Sequence, residues 1–363
     1  MECSIKDKTL RAYLPNPGRL WELFSEGSRL YLAKNPPSHE RKTRYTVVAV
    51  EKDGHPVFLH THLTNRVAQH LIEGGRISGL EGYTIVKPEI GIGRSRFDFL
   101  LQKGREKLVL EVKSCTLFGQ EIAMFPDAVT ARGRKHIMEL AELPREGLKG
   151  GVLFVVHSPY AKFFLPEYHT DLDFARTFYE LRNEIFIQVV AIGWRQDLSL
   201  DDRVRLLEIP WNLLKREAHD KGNYMVVLRL KKGCKLVVGS LGEVSFRGGY
   251  YVYVGSAMRN LTKRIQRHQR KKKKLFWHID HLREHAEFCV ALPVRSGNSL
   301  ECDIAKRIKE ISDWSIPGFG ASDCTCGTHL FGWRNDPLEA RSFIETLMYF
   351  RIDRLGLEIP KLI

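Results

Sequence analysis

The chain opens with short apolar segments separated by Pro and Gly clusters, and the spacing of RLYLA, YTVVAVE and PVFLHTHL before about Tyr83 predicts a small β-barrel or sandwich. The period then changes. In LTNRVAQHLIEGG, Thr64 or Asn65 is positioned as a helix cap, Val67, Leu71 and Ile72 are the apolar positions, and Gly74 and Gly75 close the helix. From Tyr83 to Trp194, strands (YTIVKPEI, RFDFLLQ, KLVLEVKS, GGVLFVVHS, IFIQVVAIG) alternate with helical segments such as RGRKHIMELAEL, the signature of a mixed α/β sheet. The polar stretch KREAHDKGN then places a domain boundary between about Trp211 and Gly222. Beyond it, YMVVLRL, CKLVVGS and YYVYVGS predict a three-stranded antiparallel meander. A helix from about Met258 to Lys274 follows, and then a second helix capped by Ser299 that carries Glu301 in its first turn. The expected organisation is a β-rich subdomain over 1–82, a mixed-sheet domain over 83–215 and a second, basic domain over 219–363.

Composition fits this picture: 43% apolar and 28% charged residues describe a folded globular protein. The formal charge is +14, and from His219 onward 25 basic residues face 15 acidic ones, so +10 of it lies in the second domain. That half is the polyanion-facing one. No signal-peptide core and no apolar run of spanning length is present, so a cytoplasmic location without a membrane partner is expected. Seven cysteines without a secretion signal argue for reduced thiols, with a local exception around Cys324 and Cys326.

Asp98 in SRFDFLLQ stands between Phe97 and Phe99, so strand alternation turns its carboxylate away from the face burying both rings. Thirteen residues on, KLVLEVKS places Glu111 and Lys113 on one face, and a hairpin would join all three. Carboxylates of this kind are the usual oxygen ligands of Mg²⁺ in phosphodiester hydrolysis, and a lysine can orient hydroxide or stabilise charge developing on phosphate. Glu89 in KPEIGIG is a further candidate carboxylate. The competing reading makes Glu111 and Lys113 an exposed ion pair worth about 0–1 kcal/mol and Asp98 an edge-strand gatekeeper.

The order and spacing of LPNPGRLWEL, NRVAQHL, GRSRFDFLL, LEVKSCTL and FPDAVTARGRKHIMEL resemble the sugar fermentation stimulation protein family, SfsA, over residues 9 to 195. That resemblance implies an OB-like barrel joined to a PD-(D/E)XK nuclease-like domain, in proteins described as DNA-binding and as nucleases. It assigns Asp98 and Glu111 to the metal and Lys113 to catalysis. The family pattern begins with another strand before PNPGR, and the chain starts too late to contain all of it, so either an N-terminally incomplete barrel or a misassigned start is expected. Arg132, Lys135 and His136 lie on neighbouring positions of one helix, and with Arg19 of PNPGR they are expected to touch the phosphate backbone.

In LTKRIQRHQRKKKK nine of fourteen residues are Lys, Arg or His, anchored by Leu261 and Ile265, which predicts a nucleic-acid-binding face that includes Lys263, Arg267, His268, Lys271 and Lys272. The order GNYMVVL, YYVYVGS, LTKRIQRH and Glu301 resembles a divergent GIY-YIG nuclease domain over residues 222 to about 310. It differs from the pattern in its first motif and in reading Tyr-Val-Gly in its second. The resemblance makes Tyr224 and Tyr253, with Gly255, the motif tyrosines and glycine, Arg264 the phosphate-stabilising arginine and Glu301 the metal-binding carboxylate. Finally, GASDCTCGTHL sets Cys324, Cys326 and His329 within six residues, with Cys302, His278 and His281 as partners elsewhere. Cys-x-Cys is less typical of zinc than Cys-x₂-Cys, so packed, reduced cysteines are expected and zinc is the alternative.

The resulting expectation is a nuclease, dependent on Mg²⁺ or Mn²⁺, that acts on DNA or RNA. Its rival is a DNA-binding regulatory protein on a nuclease scaffold that does not hydrolyse. An enzyme of sugar metabolism finds no Walker loop or dinucleotide fingerprint to support it.

Overall fold

A computed structural model describes residues 1–6, 8–36 and 43–359. The chain divides into two units: one comprises Met1–Glu167 and Asp173–Trp211, the other Tyr168–Leu172 and Asn212–Ile363. Both mix strands and helices, as the alternating sequence pattern requires. No helix among the described residues is long and apolar enough to cross a membrane.

The first unit begins with a five-stranded sheet. Glu2–Ile5 and Lys8–Tyr13 form a hairpin, and Tyr45–Lys52 lies between Lys8–Tyr13 and Leu30–Lys34 and also pairs with His55–Phe58. The apolar run of Tyr45–Lys52 is buried at Val47, Ala49 and Val50, so this strand anchors the barrel-like part. A six-stranded sheet follows, in the order Leu200–Leu206, Phe186–Trp194, Lys149–Val156, Glu106–Cys115, Ser95–Lys103, Thr84–Ile92. Lys149–Val156 is parallel to both neighbours and lies deepest in this sheet. Its alternation feeds two cores: Val152, Phe154 and Val156 join Phe97, Val109 and Phe178, whereas Leu153 and Val155 join Phe99, Leu110 and Leu71. The helix Thr64–Glu73 packs on the second of these faces and ends at Gly74, but Thr64 and Asn65 do not cap it; its N-cap is Leu63.

The second unit is built on an antiparallel sheet that has five strands instead of the expected three. Their order is Glu287–Arg295, Gly222–Leu230, Gly249–Ala257, Leu330–Trp333, Trp314–Ser315. Cys234–Val237, predicted for this sheet, pairs with Glu243–Phe246 in a separate hairpin. Gly222–Leu230 is buried along almost all its length because it has a partner on both edges. The basic helix covers only Leu261–Gln269, since Arg270 is already extended. The helix Glu301–Ile311 starts after Leu300 without a side-chain cap, so Ser299 does not play the capping role expected of it.

Candidate functional site

Pairing of Ser95–Lys103 with Glu106–Cys115 sets Phe99 opposite Leu110, which brings Asp98 beside Glu111 across the hairpin. The regular ladder stops there because Asp98 takes over the main chain: the Val112 N–H donates to its Oδ2 at 2.7 Å, and Asn65 Nδ2 donates to its Oδ1 at 2.6 Å. Glu111 is 6% exposed. Its Oε1 accepts from Lys113 Nζ at 2.5 Å and bonds His136 Nδ1 at 2.8 Å. Its Oε2 is buried and has no hydrogen-bond partner. An unmatched buried oxygen of this kind costs about 1–3 kcal/mol, more when charged, unless something electropositive meets it. The exposed-ion-pair reading of Glu111 and Lys113 therefore does not describe this site.

The two carboxylates titrate apart. Burial, and then the charge of Glu111, pushes Asp98 above the ordinary range, against the bonds from Val112 and Asn65. Burial also pushes Glu111 up, but the hydrogen bond from His136 and the Lys113 ammonium outweigh it and hold Glu111 below its usual value. Like charges brought this close in a shielded site favour a cation between them.

His136 was expected to face phosphate, and the structure places it elsewhere. It is 3% exposed on the buried face of the helix Ala131–Glu142, with Gly133, Ile137 and Leu140, and is spent on Glu111. Arg132 Nε donates to His136 Nε2 at 3.4 Å, so the imidazole carries its proton on Nδ1 and donates it to the carboxylate. Thr130 sets the helix start by accepting from the Gly133 N–H at 3.0 Å. Arg132 and Lys135 are exposed, the latter near Glu139 at 3.5 Å. Arg19 is also exposed, 5.1 Å from the Trp21 ring. Glu89 is solvent-facing and pairs with Arg96 at 3.3 Å; no bond joins it to Asp98 or Glu111.

Sequence reasoning missed Asn65, read as a cap, and a second acidic pair, Glu22 and Asp127. Burial and the charge of Asp127 push the Glu22 carboxyl up to about 8, and its Oε1 is buried without a partner. Asp127 Oδ2 accepts the Leu20 N–H at 2.8 Å, and a Cβ at position 18 would lie 2.6 Å from the same oxygen. The glycine of PNPGR therefore admits the acid of FPDAV. Both motifs are legible in the sequence, but the burial and pairing of their acids are not.

In the second unit the cross-strand pair Tyr224 and Gly255 explains the motif glycine: a Cβ there would meet Tyr224 Oη at 2.5 Å. Tyr224 Oη lies 2.9 Å from His268 Nε2, and the rings of Tyr224 and Tyr253 are 6.4 Å apart. Burial raises the Tyr224 hydroxyl while Arg264 beside it opposes the shift; burial also lifts Tyr253. Glu301 accepts from Ser256 Oγ and bonds His329 Nδ1 at 2.9 Å, and Arg264 Nη1 donates to the Ser256 carbonyl at 3.4 Å. These four candidates thus line one region.

Two cationic candidates are corrected. His268 is buried, lowered to about 3 by loss of water, and bound to Tyr224, so it cannot offer charge to phosphate. Arg267 makes a double bond-pair to Asp280 at 2.8 Å each and is committed to the fold. Lys263, Lys271 and Lys272 are exposed. All seven cysteines are free; Cys324, Cys326 and His329 converge with Cys302, and neither His278 nor His281 joins them.

Residues 1–59 match the SfsA N-terminal OB domain, 62–198 the sugar fermentation stimulation protein RE domain, and 223–350 a domain of unknown function, DUF123. A sugar fermentation stimulation protein homolog of Methanothermobacter thermautotrophicus is 40% identical over 164 residues, 45% of this chain and 68% of that protein. The homolog of Methanosphaera stadtmanae is 40% identical over 184 residues, 50% of this chain and 76% of that one. The solved SfsA of Pyrococcus furiosus in complex with Ca²⁺ superposes with a TM-score of 0.53 at 28% identity, covering 57% of this chain and 89% of its own. With its OB and RE segments matched in order and its relatives aligned over more than two thirds of their length, the chain belongs to the sugar fermentation stimulation protein family, extended here by a DUF123 domain.

Proposed function

We propose that the protein is a divalent-metal-dependent nuclease that hydrolyses nucleic-acid phosphodiesters. One observation carries this reading: Glu111 presents a buried, partnerless oxygen next to Asp98, while its other oxygen is fixed by Lys113 and His136. The residues fit a hard cation, because two carboxylates from adjacent strands offer oxygen donors where protein hydrogen bonds leave one unmet. That the Pyrococcus furiosus relative was solved in complex with Ca²⁺, another hard divalent cation, supports a cation-binding reading.

When bound, Mg²⁺ or Mn²⁺ would polarise the phosphoryl oxygen and lower the pKa of a water. Asp98 and Glu111 would hold it. Asn65 and the Val112 N–H fix the Asp98 carboxylate, and His136 fixes that of Glu111, so neither has to reorganise. Lys113, 2.5 Å from Glu111, brings an ammonium that can donate to a phosphate oxygen or to the attacking hydroxide. Arg132, Lys135 and Arg19 offer exposed charge for phosphate contacts.

In the second unit, the exposed Lys263, Lys271 and Lys272 bind the strand, and Tyr224, Tyr253, Arg264 and Glu301 make a second cleavage site. The test is a labelled panel of DNA and RNA incubated with the full chain and Mg²⁺ or Mn²⁺. Glu111→Ala and Asp98→Asn are expected to abolish cleavage at the first site, and Glu301→Ala reports on the second. Binding with no metal-dependent product would instead establish the regulatory, non-hydrolysing alternative. Full cleavage by Glu111→Ala would overturn the assignment of that site.

A further inference from the structure

The loop between the Trp314–Ser315 and Leu330–Trp333 strands contains almost no regular structure, yet it brings three side chains to one point. Cys324, Cys326 and His329 come from this loop, and Cys302 from the first turn of the helix Glu301–Ile311. Their three sulfurs and one imidazole nitrogen all lie within 4.8 Å of one another, and Cys324 Sγ is 3.5 Å from His329 Nε2. A tetrahedral zinc with Zn–S of about 2.3 Å and Zn–N of about 2.0–2.1 Å sets ligand-to-ligand edges of roughly 3.5–3.8 Å. No two of the four donors are farther apart than 4.8 Å, about 1 Å beyond that edge, so closing them on one ion needs only small side-chain movement.

A second observation is independent of these distances. The ring nitrogen of His329 that faces the sulfurs is Nε2, while Nδ1 lies 2.9 Å from Glu301 Oε1. A carboxylate on the far nitrogen keeps the proton on Nδ1 and leaves Nε2 with a lone pair aimed at the thiols. That is the tautomer a metal ligand requires. His329 is 1% exposed, so this orientation is held by packing.

We propose that Cys302, Cys324, Cys326 and His329 bind one structural Zn²⁺, and that His329 thereby holds the carboxylate of Glu301. Three soft thiolates and one imidazole favour zinc over Mg²⁺, Mn²⁺ or Ca²⁺, which take oxygen donors. Each cysteine gives up its proton on ligation, so the centre carries a net charge of −1. The metal closes a loop held by few backbone bonds, among them Gly318 N–H to the Gly327 carbonyl and His329 N–H to that of Phe319. The sequence pattern is unusual because two ligands share a Cys-x-Cys step and the fourth comes from a helix more than twenty residues earlier. The proposal stands whether or not Glu301 takes part in cleavage.

The test uses the full chain, purified reduced with neither added metal nor chelator, and analysed by elemental mass spectrometry. One zinc per chain is expected. Cys324→Ser and Cys326→Ser should lose it, while Cys234→Ser and Cys289→Ser, whose thiols lie outside the cluster, should keep it. Because a ligand variant can fail to fold, the wild-type chain is also stripped with chelator and reloaded with Co²⁺. Intense thiolate-to-cobalt charge-transfer absorption, with tetrahedral d–d bands, supports the centre. Less than stoichiometric metal after zinc reloading, a cobalt spectrum without thiolate bands, or full zinc retention in both cluster variants would overturn it.

Discussion

Replacing His136 with alanine removes one of the two bonds that hold Glu111 Oε1, a 2.8 Å contact at a residue 3% exposed to water. Hydrogen bonds to charged groups contribute about 1.5–3 kcal/mol. If that orientation energy is expressed in metal binding, the loss corresponds to roughly 10- to 150-fold in affinity. This agrees with the roughly 10- to 100-fold cost of losing a group that orients a metal ligand. His136 touches neither metal nor substrate on this reading; it positions Glu111. The expected outcome is therefore a shift of the Mg²⁺ dependence of cleavage to higher concentration, with activity largely recovered at saturating metal. Glu111→Ala, by contrast, should not recover. The assay is cleavage of a labelled duplex across a Mg²⁺ titration, paired with the thermal shift that Mg²⁺ produces in each variant. An unchanged Mg²⁺ midpoint in a folded His136→Ala protein would refute the claim that the imidazole orients Glu111.

Two further outcomes follow from the titration of buried acids. Asn65→Ala removes the 2.6 Å bond that opposes the upward shift of Asp98, so Asp98 should stay protonated to higher pH. The acid limb of the pH–activity profile should move upward, and a superimposable profile would contradict the role given to Asn65. Glu22, raised from 4.5 to about 8, holds its proton in the folded state where the unfolded chain has released it. Folding stability is therefore favoured below about pH 4.5 and declines as pH rises towards about 8, because the unfolded state then binds fewer protons. Glu22→Gln should flatten that decline and raise the melting temperature on the alkaline side; a variant whose melting temperature falls off in parallel with wild type would count against it.

How much of this was legible in the sequence depends on which physical rule governed each residue. Asp98, Glu111 and Lys113 could be placed because a short hairpin is local and its ladder register sets Asp98 beside Glu111, but the expected alternation fails at Asp98, since Phe97 and Phe99 are buried in opposite cores instead of on one face. His136 could not be placed by sharing a face with Arg132 alone. The buried stripe of its helix is Gly133, His136, Ile137 and Leu140, and a glycine at its start contributes no hydrophobic signal. Asn65 was read by its local capping propensity, whereas its amide is claimed by Asp98, thirty-three residues away in sequence. Cys234–Val237 had the composition of a sheet strand, but pairing depends on the partner, and a hairpin with Glu243–Phe246 lay closest along the chain.

The basic run after Leu261 shows why charge counted along a sequence overstates a binding face. Asp280 is fully buried and takes Arg267 on both oxygens, Lys273 at 2.9 Å, and the N–H groups of Phe276 and Trp277. A carboxylate so deep in the fold is tolerable only because these partners compensate its lost hydration. Its pKa is driven down despite burial, first by Arg267 and then by Lys273, which marks those cations as structural. Arg264 and Arg267 also stack on Trp277 at 4.2 and 4.3 Å, fixing the helix against the segment that follows it. On the proposed reading, what remains for phosphate is the exposed set of Lys263, Arg270, Lys271, Lys272 and Lys274, which would hold a polyanion by charge. The same run of sequence thus contains two populations. One neutralises a buried acid, and the other is left exposed to solvent, where the proposed reading places the strand.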